Sequence, residues 1–400
     1  MKILNQLLIG LLITTIVFSC NPVKKPSPSL DEKKMLDYCE NKTISTMNSL
    51  SGFDSLPRNI LRGQTRWNKV GISDWCSGFW PGVLWRSYEV SGDTAILAKA
   101  RKFTEPLRAV LSVPVDNHDL GFMLFCSFGN GYRLTKDQAY HDFLLTAADS
   151  LATLYNPKVG TILSWPAMRV KMNWPHNTIV DNMINLELLF WASKNGGRRE
   201  LYNMAVKHAE TCMTSLVRPD FTTYHVAVFD TTDGHFIKGV THQGYADNSM
   251  WARGQAWGIY GYSMCYRETG KPEFLETAQK LADVFLKRLP EDGIPYWDFD
   301  DPAIPNAPKD ASAGAIAASG MLELSGFIND EETKAKYKDA AIKMLGVLSS
   351  PEYLSGDKNQ AFLRHSTGHK PNGTEIDASI IYADYYYLEA LLRLKKMEQN

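Results

Sequence analysis

The order of its helical segments constrains this chain more than any other feature. Two kinds of segment alternate along it. In the first kind, apolar residues recur at three-and-four spacing and charged residues take the opposite face, as Ile96, Ala100 and Phe103 do against Lys99 and Arg101 in segment 94–112. The other segments of this amphipathic kind are 32–50, 137–154, 198–218, 271–290 and 331–349.

The second kind of segment is apolar nearly all round. Its members are 76–91, 119–135, 179–194, 250–267, 311–328 and 375–395. Helices of this kind must be buried on most sides. Six segments of each kind, in alternation, predict two concentric rings of helices with the apolar ring inside. The predicted fold is therefore all-α, a single-domain (α/α)6 barrel, and a generic helical bundle is the alternative.

The connections between segments are asymmetric. Each apolar segment passes to the next amphipathic one through a tight turn, whereas most returns are long, notably 51–75, 155–178, 219–249, 291–310 and 350–374. The long returns hold most of the Trp and His residues, and loops of this length in a compact domain are usually functional. We therefore predict a pocket at one end of the barrel, with the N-terminal ends of the inner helices as its floor.

The first twenty residues have the pattern of a secretory signal, with a Lys near the start and an apolar run from Leu7 to Phe18. The ending Val17-Phe18-Ser19-Cys20 resembles a bacterial lipoprotein box, which implies cleavage before Cys20 and lipidation of its thiol. Residues 21–31 are rich in Pro and Ser and predict a tether. The expected organisation is a signal peptide with its lipidation cysteine (1–20), a tether (21–31) and a catalytic domain (32–400). The expected location is the periplasmic side of a bacterial membrane.

Charge and motif content exclude several classes of function. The net charge is −1 and no basic run carries interleaved aromatic residues, so a nucleic-acid partner is not expected. The five cysteines after Cys20 are widely spaced, which predicts buried free thiols rather than disulfides. Neither a Cys-x-x-Cys pair nor a His-Glu-x-x-His run is present, so no metal site is predicted.

One stretch, 241–262 (THQGYADNSMWARGQAWGIYGY), concentrates polar and aromatic side chains at the entry to an apolar helix. Hydrogen-bonding groups interleaved with indole rings suit a ligand that has hydroxyl groups and flat apolar faces, such as a sugar. Arg253 adds a planar fork that suits a carboxylate. A buried helix start whose polar groups satisfy one another is the alternative for any one of these residues.

Four carboxylates precede the inner helices: Asp119, Asp181, Asp310 and Asp377. For Asp310 and Asp377 the sequence favours a helix N-cap. Asp119 follows His118, and Asp181 follows a loop whose Trp165 and Trp174 are suited to cover a sugar ring. Burial under indole rings raises a carboxyl pKa, while a carboxylate in a wetter setting stays ionised. We therefore predict an acid/base pair in which Asp181 keeps its proton and Asp119 does not.

A Gly-x-Ser-x-Gly elbow and a glycine-rich phosphate loop are both missing, which argues against serine hydrolase and phosphoryl-transfer chemistry. Paired carboxylates in an aromatic-lined pocket make glycoside chemistry the leading class.

Five motifs then carry a resemblance: SGFWPG, HDLGFM, IVDNMINLELL, THQGYADNSMWARGQAW and GTEIDASIIYADYYYLEALLRL. Together they resemble the unsaturated glucuronyl hydrolases, glycoside hydrolase family 88, in consistent order from about Trp75 to Leu394. The resemblance implies an (α/α)6 barrel that acts on oligosaccharides left by polysaccharide lyases. These carry a terminal uronic acid with a C4=C5 double bond, and no metal or cofactor is implied.

The resemblance also implies residue roles. Asp181 would be the general acid and base, protonating C4 and then activating the water that adds at C5, and Asp119 would be its partner carboxylate. The implied substrate-binding residues are His118, Trp165, His225, His242, Gln243, Arg253, Trp257 and Trp80. Family members that act on sulfated disaccharides have a Ser/Lys-rich stretch near the last inner helix. In the corresponding LRHSTGHKPNG, Ser366 and Lys370 are the candidates to receive a sulfate, and an ordinary exposed lysine is the alternative for Lys370.

Two other functions remain open at this point. An unsaturated rhamnogalacturonyl hydrolase would share the fold and the chemistry, although the stretch with His242 and Arg253 fits the glucuronyl family better. A lipid-anchored glycan-binding protein without catalysis is the third, and the presence of both Asp119 and Asp181 speaks against it. The expected partner is an unsaturated uronic-acid oligosaccharide, with membrane contact only through lipid on Cys20.

Overall fold

The computed structural model describes residues 30–399. The predicted signal peptide, Cys20 and all but the end of the tether lie outside the described residues. Within the range 30–399, no helix is both long and apolar enough to cross a membrane.

Six helical elements form a closed inner ring. They are α2 (Phe79–Ser91), a π-helical segment (Gly121–Gly129) that runs into α4 (Asn130–Thr135), α7 (Asn182–Lys194), α9 (Ala252–Thr269), α11 (Ala311–Ser325) and α13 (Ile381–Gln399). Each element packs against the next, and the last packs against the first. Because these helices meet neighbours on nearly every side, long runs are fully buried, as in α9 from Ala252 to Cys265.

The outer ring consists of six amphipathic helices that each pack on the inner ring. They are α1 (Glu32–Ser49), α3 (Thr94–Thr104, continued by a 3-10 helix over Glu105–Ser112), α5 (Gln138–Ala152), α8 (Glu200–Ser215), α10 (Pro272–Arg288) and α12 (Glu331–Leu348). In α10 the buried residues recur at three-and-four spacing from Phe274 to Phe285. The predicted two-ring barrel is therefore present in the described residues.

The tight turns between the rings are built from helix caps. Asp93, Asp137 and Asp330 each accept a hydrogen bond from a backbone N–H in the first turn of the outer helix that follows. Gly92 and Gly270 end their inner helices with φ of 68°, a left-handed conformation that glycine adopts without strain. These caps explain why one end of the barrel has only short connections.

The inner helices approach closely where their residues are small. A Cβ on Gly320 of α11 would lie 3.0 Å from the Cα of Tyr260 on α9, so a larger residue there would force the two helices apart. The run ASAGAIAASG in α11 supplies small side chains along this contact. The small residues of α11 therefore allow its close approach to α9.

Short strands lie in the long returns and were not predicted. They are β1 (Leu56–Ile60), β2 (Asn68–Val70), β3 (Tyr155–Asn156), β4 (Thr161–Ile162), β5 (His176–Ile179), β6 (Val226–Phe229), β7 (Phe236–Val240) and β8 (Ser379–Ile380). They form antiparallel sheets in the orders β2-β1-β8, β3-β4 and β5-β6-β7. A four-residue helix, α6 (Met168–Lys171), lies in the same return as β5. The description all-α is therefore right for both rings and wrong for these loops.

The last inner helix begins later than predicted. Glu375 and Asp377 both have a positive φ of 54°, and helix α13 starts only at Ile381. Asp377 is not an N-cap, because its carboxylate is hydrogen-bonded to Nδ1 of His365 instead. Asp310 does cap α11, as predicted, by accepting from the N–H of Ser312. Residues 366–378 form a loop closed by bridges from Ser366 to Ala378 and from His369 to Thr374, called here the 366–378 hairpin.

The five cysteines of the described range are free and buried, as predicted: Cys39, Cys76, Cys126, Cys212 and Cys265.

Candidate active site

The two candidate carboxylates lie at the N-terminal ends of adjacent inner elements. Asp119 lies two residues before the π-helical segment, and Asp181 immediately precedes α7. The two elements nearly touch there, since a Cβ on Gly121 would lie 2.5 Å from the Cα of Asn185. Each aspartate is 8% exposed. The predicted pair is therefore together, buried, at the end of the barrel that carries the long loops.

Both carboxyl groups have raised pKa values. Burial raises the pKa of Asp119 to about 7, partly opposed by a hydrogen bond from Asn185 and by the charge of Arg58. Burial also raises the pKa of Asp181 to about 6, opposed by the charge of Arg253 and reinforced by that of Asp119. The predicted division, with Asp119 ionised in a wetter setting, is thus not what burial gives: both side chains are equally dry. The pKa of Asp119 is the higher of the two, so Asp119 keeps its proton to higher pH than Asp181, which is the reverse of the predicted order.

Two neutral histidines face the pair. Burial lowers the pKa of His118 to about 4 and that of His225 well below its usual range. Nδ1 of His225 accepts hydrogen bonds from the backbone N–H groups of His242 and Gln243, at 3.2 and 3.1 Å. The ring proton of His225 therefore sits on Nε2, which points at Oδ2 of Asp181 from 3.6 Å. On the other side, Nε2 of His118 lies 3.4 Å from Oδ1 of Asp119.

Three polar atoms at this point are fully buried and have no hydrogen-bond partner within residues 30–399: Oδ2 of Asp181, Nε2 of His118 and Nε2 of His225. Buried polar groups in native proteins are nearly always paired. These three atoms are therefore suited to hydrogen-bond a polar ligand between the two histidines and the carboxyl pair.

Trp165 borders this space. Its ring meets the rings of His118, His225 and His242 edge-to-face, with centroids 6.3, 5.6 and 5.3 Å away. Its backbone is fixed by Asn177, whose side-chain oxygen accepts from the Trp165 N–H at 3.0 Å. Trp174 does not border it; it is buried in a small apolar cluster with Ile179 and the sheet β5-β6-β7.

Arg253 lies at the site, but both Nη atoms of its guanidinium are already hydrogen-bonded within the protein. It is therefore not free to bind a carboxylate through both of them, as its planar fork had suggested. Its Nη1 donates to Oδ2 of Asp310 at 2.9 Å and to the carbonyl of Thr367 at 2.6 Å. Its Nη2 donates to Oε1 of Gln243 at 2.9 Å and to the carbonyl of Gly368 at 2.6 Å. The guanidinium thus holds the 366–378 hairpin against α9 and α11.

The hairpin in turn closes the site from one side. The ring of His369 meets that of His242 edge-to-face, 4.9 Å between centroids. Gln243 is oriented by the same guanidinium. Arg253, Gln243 and His242 therefore lie together. Arg253 orients Gln243 by a direct hydrogen bond, and it acts on His242 through the hairpin that carries His369.

Four predicted binding residues lie elsewhere or are occupied. Trp80 is buried between the rings, with its indole against Phe103 of the outer helix α3. Trp257 is fully buried in the barrel interior, against Phe122 and Tyr386. Trp80 is therefore not at the site of the two carboxyl groups. Trp257 packs on Phe122 of the π-helical segment and supports that site from the barrel interior.

The two candidate sulfate ligands differ in their surroundings. Ser366 is fully buried, its backbone pairs with Ala378, and its Oγ has no hydrogen-bond partner within residues 30–399. Lys370 forms an ion pair with the buried Asp301, 3.0 Å from Nζ to Oδ2, and its Nζ lies 4.8 Å from the centroid of the Trp297 ring. Lys370 is neither free to take a sulfate as it stands nor an ordinary exposed lysine.

The sequence reading missed a second network beside Asp119. Arg58 on β1 donates to both oxygens of Asp74, at 2.7 and 2.8 Å, and to Oε1 of Glu375 at 2.9 Å. Its guanidinium also lies 5.7 Å from the Trp75 ring centroid. Arg58 sits in a short strand with no motif, and its partner Glu375 is 317 residues away, so no local signal pointed to it. Asn185, four residues after Asp181 and hence on the same helix face, had such a signal.

A buried acid pair under an indole ring, at the mouth of an (α/α)6 barrel, is the arrangement of a glycoside hydrolase. Residues 43–398 match Glycosyl Hydrolase Family 88, and the chain belongs to this family.

Individual relatives agree over nearly the whole chain. A Formosa agariphila protein named unsaturated glucuronyl hydrolase is 40% identical, over 99% of this chain and 99% of its own length. A Streptococcus pyogenes protein named unsaturated chondroitin disaccharide hydrolase is 36% identical, over 94% of this chain and 96% of its own. The crystal structure of an unsaturated glucuronyl hydrolase specific for heparin superposes with a TM-score of 0.88 at 40% identity, covering 92% of this chain and 98% of that one.

Proposed function

We propose that this enzyme removes the terminal Δ4,5-unsaturated glucuronic acid from oligosaccharides produced by polysaccharide lyases. The observation that carries the proposal is the set of buried, unpaired atoms Asp181 Oδ2, His118 Nε2 and His225 Nε2 beside a second carboxyl group. The site supplies the two kinds of group that the reaction requires. One is a carboxyl group that holds a proton near neutral pH, and the other is neutral imidazoles that donate to the oxygens of the sugar.

The reaction is acid/base hydration of the double bond. Asp181 in its acid form gives its proton to C4 of the enol ether, and positive charge develops at C5 and the ring oxygen. The resulting carboxylate takes a proton from water as the water oxygen bonds to C5, which restores the acid. The hemiketal so formed opens and releases the rest of the sugar, so the glycosidic bond breaks without attack at C1.

The neighbours of Asp181 support these two steps. Burial favours the protonated form of Asp181, which is the form that acts first, and the charge of Asp119 favours it further wherever Asp119 is ionised. The N–H at Nε2 of His225 points at the same carboxyl oxygen from 3.6 Å, beyond hydrogen-bond distance, and its dipole favours the carboxylate once the proton has left. Trp165 covers the space, and exclusion of water by its ring strengthens both effects.

The preferred substrates in this proposal are glycosaminoglycan disaccharides. The relatives described above are named for chondroitin disaccharide and, for the solved structure, heparin. The test is turnover of unsaturated chondroitin and heparin disaccharides against unsaturated rhamnogalacturonan disaccharide, followed by loss of the ultraviolet absorbance of the conjugated uronate. Faster turnover of the rhamnogalacturonan disaccharide would contradict the proposal.

The pKa values predict how activity depends on pH. The first step needs a protonated Asp181, whose pKa is about 6, next to Asp119, whose pKa is about 7. As pH rises through this range the protonated fraction of the pair falls, so kcat/KM should fall as well, by about tenfold per pH unit once both groups have ionised. A pH–rate profile of the free enzyme measures this. A rate that still climbs above about pH 8 would remove Asp181 from the role of acid.

We also propose that lipid on Cys20 anchors the enzyme at the periplasmic side of a membrane, because the Val17-Phe18-Ser19-Cys20 ending precedes a Pro/Ser-rich tether. In the producing bacterium the chain should sediment with membranes, and Cys20→Ala should release it. Equal recovery of both forms in the soluble fraction would rule out the anchor.

A further inference from the structure

A second cavity opens at the end of the barrel opposite the acid pair. Its volume is about 550 Å³. The C-terminal halves of inner helices wall it, with Arg86 on α2, Trp191 on α7, Arg393 and Lys396 on α13, and Lys136 just after α4. We call it the rear cavity. Small-molecule sites in proteins span about 300–1,000 Å³, so the rear cavity is large enough for a sugar.

The rear cavity is deep. Besides the rim residues, it is lined by Gly121 and Ile184, which follow Asp119 and Asp181 by two and three residues. Along α7 and its C-cap it extends from Ile184 to Asn195, which are eleven helical steps apart, or about 16 Å at the rise of an α-helix. The cavity therefore follows the barrel axis from the rear rim to within about one turn of the acid pair.

Its lining favours a negatively charged ligand. Six of the lining residues are Arg or Lys and three are Glu. Two more glutamates behind the wall, Glu89 and Glu323, pair with Arg133, Lys396 and Arg393, which still leaves one cation in excess. That excess is accounted for by Lys136, which has no carboxylate partner in the described part of the chain and lies at the exposed end of α4.

The other lining groups suit the body of a sugar. Trp191 and Tyr132 contribute aromatic surface. The amide of Asn130 is engaged with Cys126, Tyr385 and Arg133, whereas Asn195 uses only its Nδ2, which donates to the carbonyl of Trp191, so its Oδ1 is left to accept from a hydroxyl. Nε of Arg86 is buried and has no hydrogen-bond partner within the range 30–399. Cations for an acidic group, rings for the apolar faces and an amide oxygen for a hydroxyl are the chemistry that recognises an acidic sugar.

We propose that the rear cavity is a second binding site, which takes a sugar carrying a carboxylate or a sulfate. The site is separate from the acid pair, and its occupation does not depend on the reaction proposed there.

The test counts binding sites by calorimetric titration of the full chain. One arm uses sodium glucuronate and the other N-acetylgalactosamine 6-sulfate, so that carboxylate and sulfate recognition are distinguished. The variant Lys136→Glu/Lys396→Glu reverses two rim charges, and Lys33→Glu/Lys343→Glu makes the same change of net charge at exposed positions of α1 and α12. A third variant, Leu392→Trp, fills the cavity without changing its charge.

With at least one of the two sugars, the unaltered chain and the Lys33/Lys343 control should show two sites. Affinity at one of them should fall by about tenfold or more in the Lys136/Lys396 variant, because opposite charges become like charges. Leu392→Trp should leave a single site. The site at the acid pair is identified as the one at which the added sugar competes with substrate for turnover. In the Lys136/Lys396 variant kcat/KM should be unchanged.

The proposal would be overturned if neither sugar bound at a site that the Lys136/Lys396 variant weakens and Leu392→Trp removes. Because this outcome concerns only the site that those variants change, it does not depend on whether the lyase products are turned over.

Discussion

Asp181→Asn should abolish nearly all turnover while the protein still binds its substrate. Asparagine keeps the size of the side chain but cannot give a proton to C4 or take one from water, and general acid/base groups typically contribute factors of about 10²–10⁴ in rate. We therefore expect kcat to fall by on the order of 10³-fold with the unsaturated disaccharide. Because the buried Asp181 carboxyl is partly protonated near neutral pH already, the neutral amide should leave the melting temperature nearly unchanged.

The matched control is Asp116→Asn, which makes the same chemical change at an exposed position three residues before Asp119. It should retain full turnover. Substrate binding by Asp181→Asn, measured by calorimetry, separates catalysis from binding. If the unaltered chain binds the disaccharide but shows no turnover for Asp181→Asn to lose, the protein is a glycan-binding protein that has kept the pocket.

The helical rings could be predicted because their signal is long. A segment such as α10 repeats its apolar spacing over four turns, and the all-round apolar segments leave burial as the only option. The strands could not be predicted for the opposite reason. In β6 all four residues, Val226 to Phe229, are buried, so the two-residue alternation that identifies a strand is missing. The sequence does not distinguish the π-helical segment from an α-helix either, because its residues are apolar on every side in both helical forms.

Asp377 shows where local rules give way to tertiary contacts. It precedes an Ala-Ser pair and an apolar helix, as Asp310 does, and only Asp310 caps its helix. Asp377 instead meets His365 across the base of the 366–378 hairpin. The difference depends on a pairing of distant segments that the sequence around Asp377 does not encode.

The position of the acid pair was predictable, and its electrostatics were not. Helix starts and neighbouring aromatic residues placed Asp119 and Asp181 together, but the exposure of each carboxyl depends on what covers it. Asp119 is as buried as Asp181, and its pKa of about 7 also reflects Asn185, Arg58 and Asp74, all three of which lie on distant parts of the chain. The resemblance to a family supplied roles for single residues but not these surroundings.

Arg253→Met should destabilise the fold more than any other single change at the site. Arg253 is 2% exposed and its ion-pair partner Asp310 is fully buried. Removal of one member leaves an uncompensated buried charge, which costs about 3–5 kcal/mol. The carbonyls of Thr367 and Gly368 would lose their donors too. We expect the melting temperature to fall by about 5 °C, measured by calorimetry or circular dichroism.

Two further variants separate the buried charge from the loss of an arginine as such. Arg198→Met removes an exposed pair with Asp149 and should change stability by less than about 1 kcal/mol. Arg253→Met combined with Asp310→Asn removes both charges, and asparagine can still cap α11. The double variant should therefore be more stable than Arg253→Met alone. If it is less stable, by the sum of the two single effects, the ion pair is not coupled, and the hairpin is held by the carbonyl contacts rather than by the charge of Asp310.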